Sequence, residues 1–175
     1  EAWPQLKELV ELLGAPTTTS LEGKSAFPED HPLSLGSGGR SLPRTVHDFL
    51  QNSDVIFGVG CSFTSTNFGI TMPTGKTVIH ATLDPVDLNK NVVSQHALVG
   101  DAALTLEALI AELKAQGQTP PDTSAVEMEI AGIKAAWLAE WMPKLTSNDA
   151  PLNPYRVLWD LANTVDRPNT VITHD

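Results

Sequence analysis

The sequence predicts an α/β fold, namely a Rossmann-like parallel sheet covered by helices on both faces. Segments 55–60 and 77–83 are rich in apolar residues and lack the alternation typical of a strand with one wet face. Strands buried on both faces show this pattern, and such strands belong to parallel sheets. Helical patterns flank the two segments at 2–13 and 101–117. Strands that alternate with helices indicate a layered α/β architecture.

The N-terminal part is predicted to form a helix, a strand and an irregular stretch. The helix over 2–13 has Pro4 in its first turn and Gly14 as a left-handed stop. The threonine-rich run 15–20 favours a strand, whereas the prolines of GKSAFPEDHP, residues 23–32, exclude regular structure there. The apolar face of the helix comprises Leu6, Leu9, Val10 and Leu13.

Two more helices are predicted around the two buried strands. Ser41 is expected to cap the first, which has Pro43 near its start, and Asp101 is expected to cap the second. Asp87 or Asn89 would cap a short helix between them. The apolar positions are Val46, Phe49 and Leu50 in the first helix, and Leu106, Leu109, Ile110 and Leu113 in the second.

A linker and a long helix follow. Residues 118–123, QTPPDT, cannot continue the preceding helix because of their two prolines. Ser124 and Glu127 have the spacing of a capping box, and Pro143 would close the helix that they open. The apolar stripe of this helix comprises Val126, Ile130, Ile133, Trp137 and Trp141. The two tryptophans are predicted to be packing anchors against another domain.

The C-terminal residues are predicted to form one helix and one strand. After a break at 146–152, Asn153 and Pro154 have the pattern of a cap and a first helical turn. Residues 170–173, TVIT, favour a strand. His174 and Asp175 would lie at its end and could line a ligand site.

Composition and charge exclude several classes of function. The 175 residues carry a net charge of -10 without any cluster of Lys or Arg, so nucleic acid is not an expected partner. No run of eighteen apolar residues and no secretory signal pattern are present, so we expect neither a membrane span nor export, and a cytoplasmic location. The single cysteine fits a reducing compartment. Only 18% of the residues are charged, which suggests a surface covered by neighbouring domains or subunits.

A nucleotide site is one interpretation of the ends of the two buried strands. Gly58 and Gly60 could let backbone amides approach a phosphate, but the third glycine of the dinucleotide fingerprint is absent, which favours a structural turn. Asp84 ends the second strand, where it could accept a hydrogen bond from a ribose hydroxyl or simply start a turn. The hydroxyl-rich loop 62–67 permits the same two interpretations.

Acid–base, thiol and metal chemistry are less favoured. The stretch 23–32 contains Lys24, Glu29, Asp30 and His31, but salt bridges, caps and a buried hydrogen-bonded histidine explain neighbouring loop residues more simply. Cys61 is expected to be a packed side chain rather than a nucleophile. The spacing of the five histidines supports no metal site. They are His31, His47, His80, His96 and His174.

Several segments, in order, resemble the central domain of thiamine-diphosphate-dependent enzymes of the acetolactate synthase, pyruvate oxidase and benzoylformate decarboxylase group. They are GKSAFPEDHPLSLGSGG, DVIFGVGCSF, VIHATLDPVDLNKN and LVGDAALTLEAL. The resemblance implies a central domain over 1–118 whose first strand is missing, and a linker with a connecting helix over 119–150. PLNPYRVLWDLANTVDRPNTVITHD, residues 151–175, resembles the first helix and strand of the group's C-terminal diphosphate-binding domain.

The resemblance implies a parent enzyme that decarboxylates or ligates 2-oxo acids with thiamine diphosphate and Mg²⁺. The group's activating glutamate and its GDG-to-Asn motif have no counterpart here, so no catalytic residue is expected and the 175 residues alone should be inactive. Expected partners are the parent's other domains within a homodimer or homotetramer. In some members the central domain holds FAD or ADP, although LGSGG at 35–39 departs from the flavin-binding pattern.

Three functional readings follow from the resemblance and the residues together. The first is a mainly structural central module, and the second is a working FAD- or ADP-binding module of the same enzyme. If a nucleotide binds, the expected contacts are Gly60, Ser62, Phe63 and Asp84. The third reading is a stand-alone interaction domain.

Overall fold

The computed structural model describes residues 2–173, and it confirms an α/β fold with parallel sheets. Short 3₁₀ turns lie at Pro85–Asp87 and Arg167–Asn169. The helices are α1 (Trp3–Leu13), α2 (Arg44–Asn52), α3 (Ala102–Ala115), α4 (Ser124–Leu145) and α5 (Pro154–Thr164), and the strands are β1 (Thr17–Ser20), β2 (Ser34–Gly38), β3 (Val55–Val59), β4 (Thr77–Thr82) and β5 (His96–Val99).

The chain divides into two compact units, Glu1–Ile133 and Lys134–Asp175. All five strands belong to the first unit. The boundaries expected from the sequence, at 118 and 150, concern the domains of a longer protein and stay a prediction. None of the helices within residues 2–173 is both long and apolar enough to cross a membrane.

The strands form two parallel sheets rather than one. β1 pairs with β2, and a second sheet has the order β3-β4-β5. Neither β2 nor β5 was expected. β2 has the sequence SLGSG, and glycine is depleted in strands, so its pattern indicates a loop. It pairs with β1 through the backbone ladder and through hydrogen bonds of Thr18 Oγ1 to the Gly36 carbonyl oxygen, at 2.8 Å, and between the Thr19 and Ser37 hydroxyls, at 2.9 Å.

Helix α1 packs in two directions. It ends at Gly14, whose φ of 63° is the left-handed stop that the sequence predicted. Leu9 and Leu12 pack with α3, while Val10 packs with the residues that lead into β2. Leu12 is buried where Leu13 was expected, and Leu13 is exposed. The first cluster is Leu9, Leu12, Leu106 and Ile110, and the second is Val10, Phe27 and Leu33.

A third apolar cluster joins β2 to α2 and α4. Its buried members are Leu35, Val46 and Ile130. Phe49 and Leu50, predicted on the apolar face of α2, pack against this cluster. The long helix thus starts within the first unit.

Three predicted helix ends are shifted. α2 begins at Arg44 after Pro43 and has no side-chain cap, so Ser41 is not its N-cap. At α4, Thr123 precedes the first helical residue and its hydroxyl donates to the Glu127 carboxylate, so Ser124 is not the cap. Pro143 lies inside α4, whose last turn continues to Leu145.

The caps predicted at Asp101 and Asn153 are confirmed. The Asp101 carboxylate accepts from the Leu104 amide, and the Asn153 side-chain oxygen accepts from the Tyr155 amide.

The second unit contains an aromatic cluster. The rings of Trp137 and Trp141 stack with centroids 5.6 Å apart, and Tyr155 meets Trp141 edge-on at 5.0 Å. The Lys144 ammonium lies 4.1 Å from the centre of the Trp141 ring. Packing of the two tryptophans against a further domain stays a prediction.

The strand predicted at 170–173 is wrong, because these residues have irregular backbone. A strand requires a hydrogen-bonded neighbour, and no strand is formed among the described residues of this unit. His174 and Asp175, proposed to line a site there, lie outside the described residues.

Candidate functional site

The four candidate nucleotide contacts lie at one edge of the three-stranded sheet. Gly60, Ser62 and Phe63 follow β3, and Asp84 follows β4. Because β3 and β4 are parallel neighbours, both segments leave the sheet at its carboxyl edge. Ligands of open α/β sheets bind outside this edge.

The Gly60 amide is already engaged in the sheet. It donates to the Ala81 carbonyl oxygen at 2.9 Å and so extends the β3–β4 ladder by one bond. Gly60 has a φ of 63°, which turns the chain out of the strand and favours glycine. This geometry favours the structural turn over a phosphate cradle at this residue.

Phe63 folds back over the sheet. Its backbone has a φ of 48°, and its ring meets the His80 ring edge-on with centroids 4.8 Å apart. A β-carbon placed on Gly58 would lie 2.2 Å and 2.4 Å from two Phe63 ring carbons. The close approach requires glycine at 58. No helix forms between β3 and β4.

His80 is a buried residue that the sequence did not mark as functional. Its Nε2–H donates to the Cys61 carbonyl oxygen at 2.7 Å, while Nδ1 is buried without a hydrogen-bond partner among the described residues. Register places His80 opposite Gly58. The sequence signal that could have identified His80 is a polar ring within a largely apolar strand segment, Val78–Ala81.

Cys61 has the properties of a packed side chain. Burial raises the pKa of its thiol, and backbone hydrogen bonds offset only part of that effect. A thiol with a raised pKa is a poor nucleophile at neutral pH. The structure thus favours the packing role expected from the sequence.

Asp84 acts as a cap in this structure. Its Oδ1 accepts from the Val86 amide at 2.9 Å and begins the 3₁₀ turn. This confirms the interpretation in which Asp84 and Pro85 start a turn. The short helix expected to be capped by Asp87 or Asn89 is not formed, since β5 is the next element. Asp87 pairs with Lys90 at 2.5 Å, and this hydrogen bond is the main cause that lowers the pKa of Asp87.

The hydroxyl-rich loop 62–67 is also hydrogen-bonded internally. Ser62 Oγ accepts from the Thr64 amide at 3.3 Å, and Thr66 Oγ1 accepts from the Gly69 amide at 2.8 Å. The Ser65 amide donates to Asn91 Oδ1 at 2.8 Å, which ties this loop to the segment after β4. The polar atoms at this edge therefore stabilise the loops themselves.

The stretch 23–32 is structural. His31 Nδ1 accepts from the Leu33 amide at 3.1 Å, and its Nε2 lies 3.3 Å from Glu11 Oε1. Glu29 accepts from Ser37 Oγ at 2.7 Å and lies 3.8 Å from the Lys24 ammonium. These contacts confirm the salt bridge and the hydrogen-bonded histidine, although His31 is only partly buried where a buried ring was expected, and Asp30 is exposed.

Metal ligands are not clustered in the described part of the chain. Within residues 2–173, no three side chains of His, Cys, Asp or Glu come together in an arrangement that could hold a metal ion.

Removal of the Glu11 charge should lower the free energy of unfolding at neutral pH but not at acidic pH. The Lys7 ammonium, 3.2 Å away, and then His31 hold the pKa of Glu11 below its usual 4.5. A lowered carboxyl pKa contributes stability above the unfolded-state pKa, and this contribution is lost as pH falls through the folded-state pKa. Glu11→Gln should therefore lower the free energy of unfolding at pH 7, by at most about 1 kcal/mol for this exposed pair.

Urea unfolding from pH 7 to about pH 3 measures this effect, since linkage predicts that the two curves approach one another as pH falls from the ordinary carboxyl pKa through the lowered folded-state pKa. The exposed Glu22→Gln serves as a control for loss of a surface charge. A difference between wild type and Glu11→Gln that stays constant down to the lowest pH would contradict the prediction.

Gly58→Ala should destabilise the fold. The added methyl group overlaps the Phe63 ring, and overpacking of this kind costs about 1 to 3 kcal/mol. Gly132→Ala, in helix α4 with open space around the added carbon, should instead stabilise by up to about 1 kcal/mol. Urea midpoints measure both changes. An equal cost for Gly58→Ala in a Phe63→Ala background would show that the ring is not the cause.

Comparison with known proteins gives the chain a family. Residues 1–109 match the family described as thiamine pyrophosphate enzyme, central domain. A protein named probable acetolactate synthase large subunit from Methanococcus aeolicus is 30% identical over 98% of this chain. Acetolactate synthase isozyme 3 large subunit from Escherichia coli is 37% identical over 67% of it.

Among solved structures, benzoylformate decarboxylase from Polynucleobacter necessarius is similar with a TM-score of 0.55 and 26% identity, over 70% of this chain and 23% of that one. The chain spans 30% of the Methanococcus aeolicus relative and 21% of the Escherichia coli relative. Because the family match covers well over half of the 175 residues, this chain belongs to the central-domain family of thiamine pyrophosphate enzymes.

Proposed function

We propose that this chain is the central, mainly structural module of an acetolactate-synthase-like enzyme that decarboxylates or ligates 2-oxo acids. The family match and the relatives named acetolactate synthase support the class of parent enzyme. The net charge of -10 and the absence of a cluster of Lys or Arg in the sequence argue against nucleic acid as an alternative partner.

The observation that carries the structural role is the internal use of polar atoms at the carboxyl edge. The Gly60 amide bonds to Ala81, Asp84 Oδ1 bonds to Val86, and Ser62 Oγ bonds to Thr64. A ligand at these atoms would have to replace hydrogen bonds that hold the loops. A module whose edge is self-satisfied is suited to support neighbouring domains.

Exposed apolar side chains support the proposed partners. The connections that follow β3 and β4 carry four large apolar residues with 69–72% of their surface exposed: Phe68, Leu83, Val86 and Val93. Apolar surface of this kind marks protein contacts. We propose that other domains of the parent chain cover it, within a cytoplasmic homodimer or homotetramer.

The chemistry belongs to other domains in this proposal. Thiamine diphosphate supplies an ylid that attacks the 2-oxo acid and a ring that accepts the electrons. The sequence has no counterpart of the group's GDG-to-Asn motif, so we assign both the cofactor and the metal to the rest of the parent enzyme.

The 175-residue chain alone should therefore show no turnover. We expect acetolactate formation from pyruvate, with added thiamine diphosphate and Mg²⁺, to equal the protein-free background. The parent enzyme assayed identically is the positive control. Turnover that rises in proportion to the concentration of the isolated chain, and that survives further purification, would refute the structural proposal.

A second candidate function is binding of FAD or ADP by Gly60, Ser62, Phe63 and Asp84. Two observations favour it: these residues share the carboxyl edge of adjacent parallel strands, and the buried His80 Nδ1 beside Phe63 has no hydrogen-bond partner among the described residues. An incoming polar group could supply one.

Isothermal titration with FAD and ADP should separate the two candidates. The structural proposal predicts no binding tighter than about 1 mM, a free energy of about -4 kcal/mol. Micromolar binding would favour the second candidate. In that case Asp84→Asn, which keeps an oxygen for the Val86 amide, should weaken binding at least tenfold if the carboxylate accepts a ribose hydroxyl, and Asp30→Asn should leave it unchanged.

A further inference from the structure

Helix α4 contributes residues to both compact units of the chain. The boundary between the units falls between Ile133 and Lys134, inside the helix that runs from Ser124 to Leu145. Most of the stability of a helix in a protein comes from the packing of its apolar face against other elements. The packing of α4 near this boundary therefore decides whether the helix is a stiff connection.

The linker that leads into α4 is fastened to the end of helix α1. A β-carbon placed on Gly14 would lie 2.6 Å from Pro121 Cγ and 2.9 Å from Thr123 Cγ2, so the two segments approach closely. Gln118 Nε2 also donates to the Leu12 carbonyl oxygen at 3.4 Å. The linker is thus held in place rather than free.

The first half of α4 is anchored by two apolar side chains. Val126 packs against both the second and the third apolar cluster of the first unit. Ile130 belongs to the third cluster and has only 1% of its surface exposed. The helix is therefore fixed from its start to Ile130.

The last turns of α4 have anchors of their own. Trp141 stacks on Trp137 and meets Tyr155 of α5 edge-on, and Leu145 is buried. These contacts also support the turn that contains Pro143, whose missing N–H removes one helical hydrogen bond.

The middle of α4 has neither kind of anchor. Within residues 131–136 of this helix none is buried: Ile133 is partly buried and the other five are exposed. Gly132 lies at the centre of the helix, and a β-carbon placed on it would meet no atom within 4 Å, so no close approach requires a glycine here. Glycine in a helix interior weakens the helix because it loses the most backbone freedom on folding.

We propose that α4 bends at residues 131–136, here called the α4 hinge, and that Gly132 is the residue that permits the bend. Hinges are short segments that absorb a change in backbone angles between parts that stay rigid. The anchors at Ile130 and Trp141 supply the rigid parts. The α4 hinge can act as a pivot when neighbouring domains of a longer protein move. The inference concerns this connection and holds whichever proposed function is correct.

Amide hydrogen exchange of the 175-residue chain, followed by NMR, tests the local stability of the hinge. The hydrogen bonds that bracket Gly132 are donated by the amides of residues 133–136, each to the carbonyl four residues before it. We expect their protection factors to be at least tenfold lower than those of Ile130 on one side and of Trp141 and Met142 on the other. Equal protection along α4, or protection that falls steadily towards its C-terminal end, would overturn the proposal.

Two substitutions test the cause of this weakness. Gly132→Ala should raise protection at residues 133–136 about fivefold, which corresponds to about 1 kcal/mol. The matched control is Ala108→Gly, at an exposed position of α3 between the buried Leu106 and Ile110. It should create no comparable minimum of protection, because anchors lie on both sides of it. No effect of Gly132→Ala, or an equally deep minimum in α3 of the control, would overturn the proposal.

A distance measurement along the helix tests the bend itself. Spin labels are attached to cysteines at the exposed positions Ala125 and Glu140, in a chain in which Cys61→Ala removes the native thiol. In a straight helix the two Cα atoms are about 22 Å apart. We expect a broad distance distribution that extends to shorter values and narrows on Gly132→Ala. A single narrow peak that Gly132→Ala leaves unchanged would overturn the bend.

Discussion

The two-sided packing of helix α1 is the constraint on which the first unit depends. The sheets share no strand pairing, so their relative position is set by side-chain packing together with a backbone hydrogen bond from the Arg40 amide to the Phe68 carbonyl oxygen at 2.8 Å. Leu9 and Leu12 bind α1 to α3, while Val10 binds it to Phe27 and Leu33. Burial of apolar surface at about 25 cal/mol per Å² makes such clusters the main source of stability. The stretch 23–32 serves this same helix, because Phe27 fills the second cluster and His31 bonds to Glu11 of α1.

The opposite face of the three-stranded sheet is covered in another way. Side chains alternate along a strand, so Phe57 and Val59 point to the helices while Gly58 points to the other face. There the connection after β3 lays Phe63 over Gly58 and against His80. The Phe63 ring thus covers this face of the sheet at Gly58 and His80, where a longer connection would place a crossover helix. The connection that carries Phe63 starts at the carboxyl edge, where such folds bind ligands, so fold class alone does not establish a site here.

Sequence periodicity predicted the elements that depend on side-chain burial. The helices α1 and α3 and the strands β3 and β4 follow from their apolar spacing, and Gly14, Asp101 and Asn153 end or cap helices as expected. β2 and β5 were missed because their pairing is made by backbone groups, which any sequence carries. The caps near Ser41 and Ser124 were misplaced because several polar residues compete there and tertiary packing selects among them.

The candidate site was predictable in position but not in its contacts. Strand ends at Gly60 and Asp84 follow from the sequence, since parallel strands share a carboxyl edge. The Gly60–Ala81 bond, the positive φ of Phe63 and the Ser65–Asn91 bond depend on how separate segments meet. Local patterns do not encode such meetings. His80 shows the same limit: its buried ring lies against the Phe63 ring, and its Nδ1 has no hydrogen-bond partner among the described residues. The fold of this loop depends on its own hydrogen bonds, because Ser62, Thr66 and Asn91 bond to amides of the same loops.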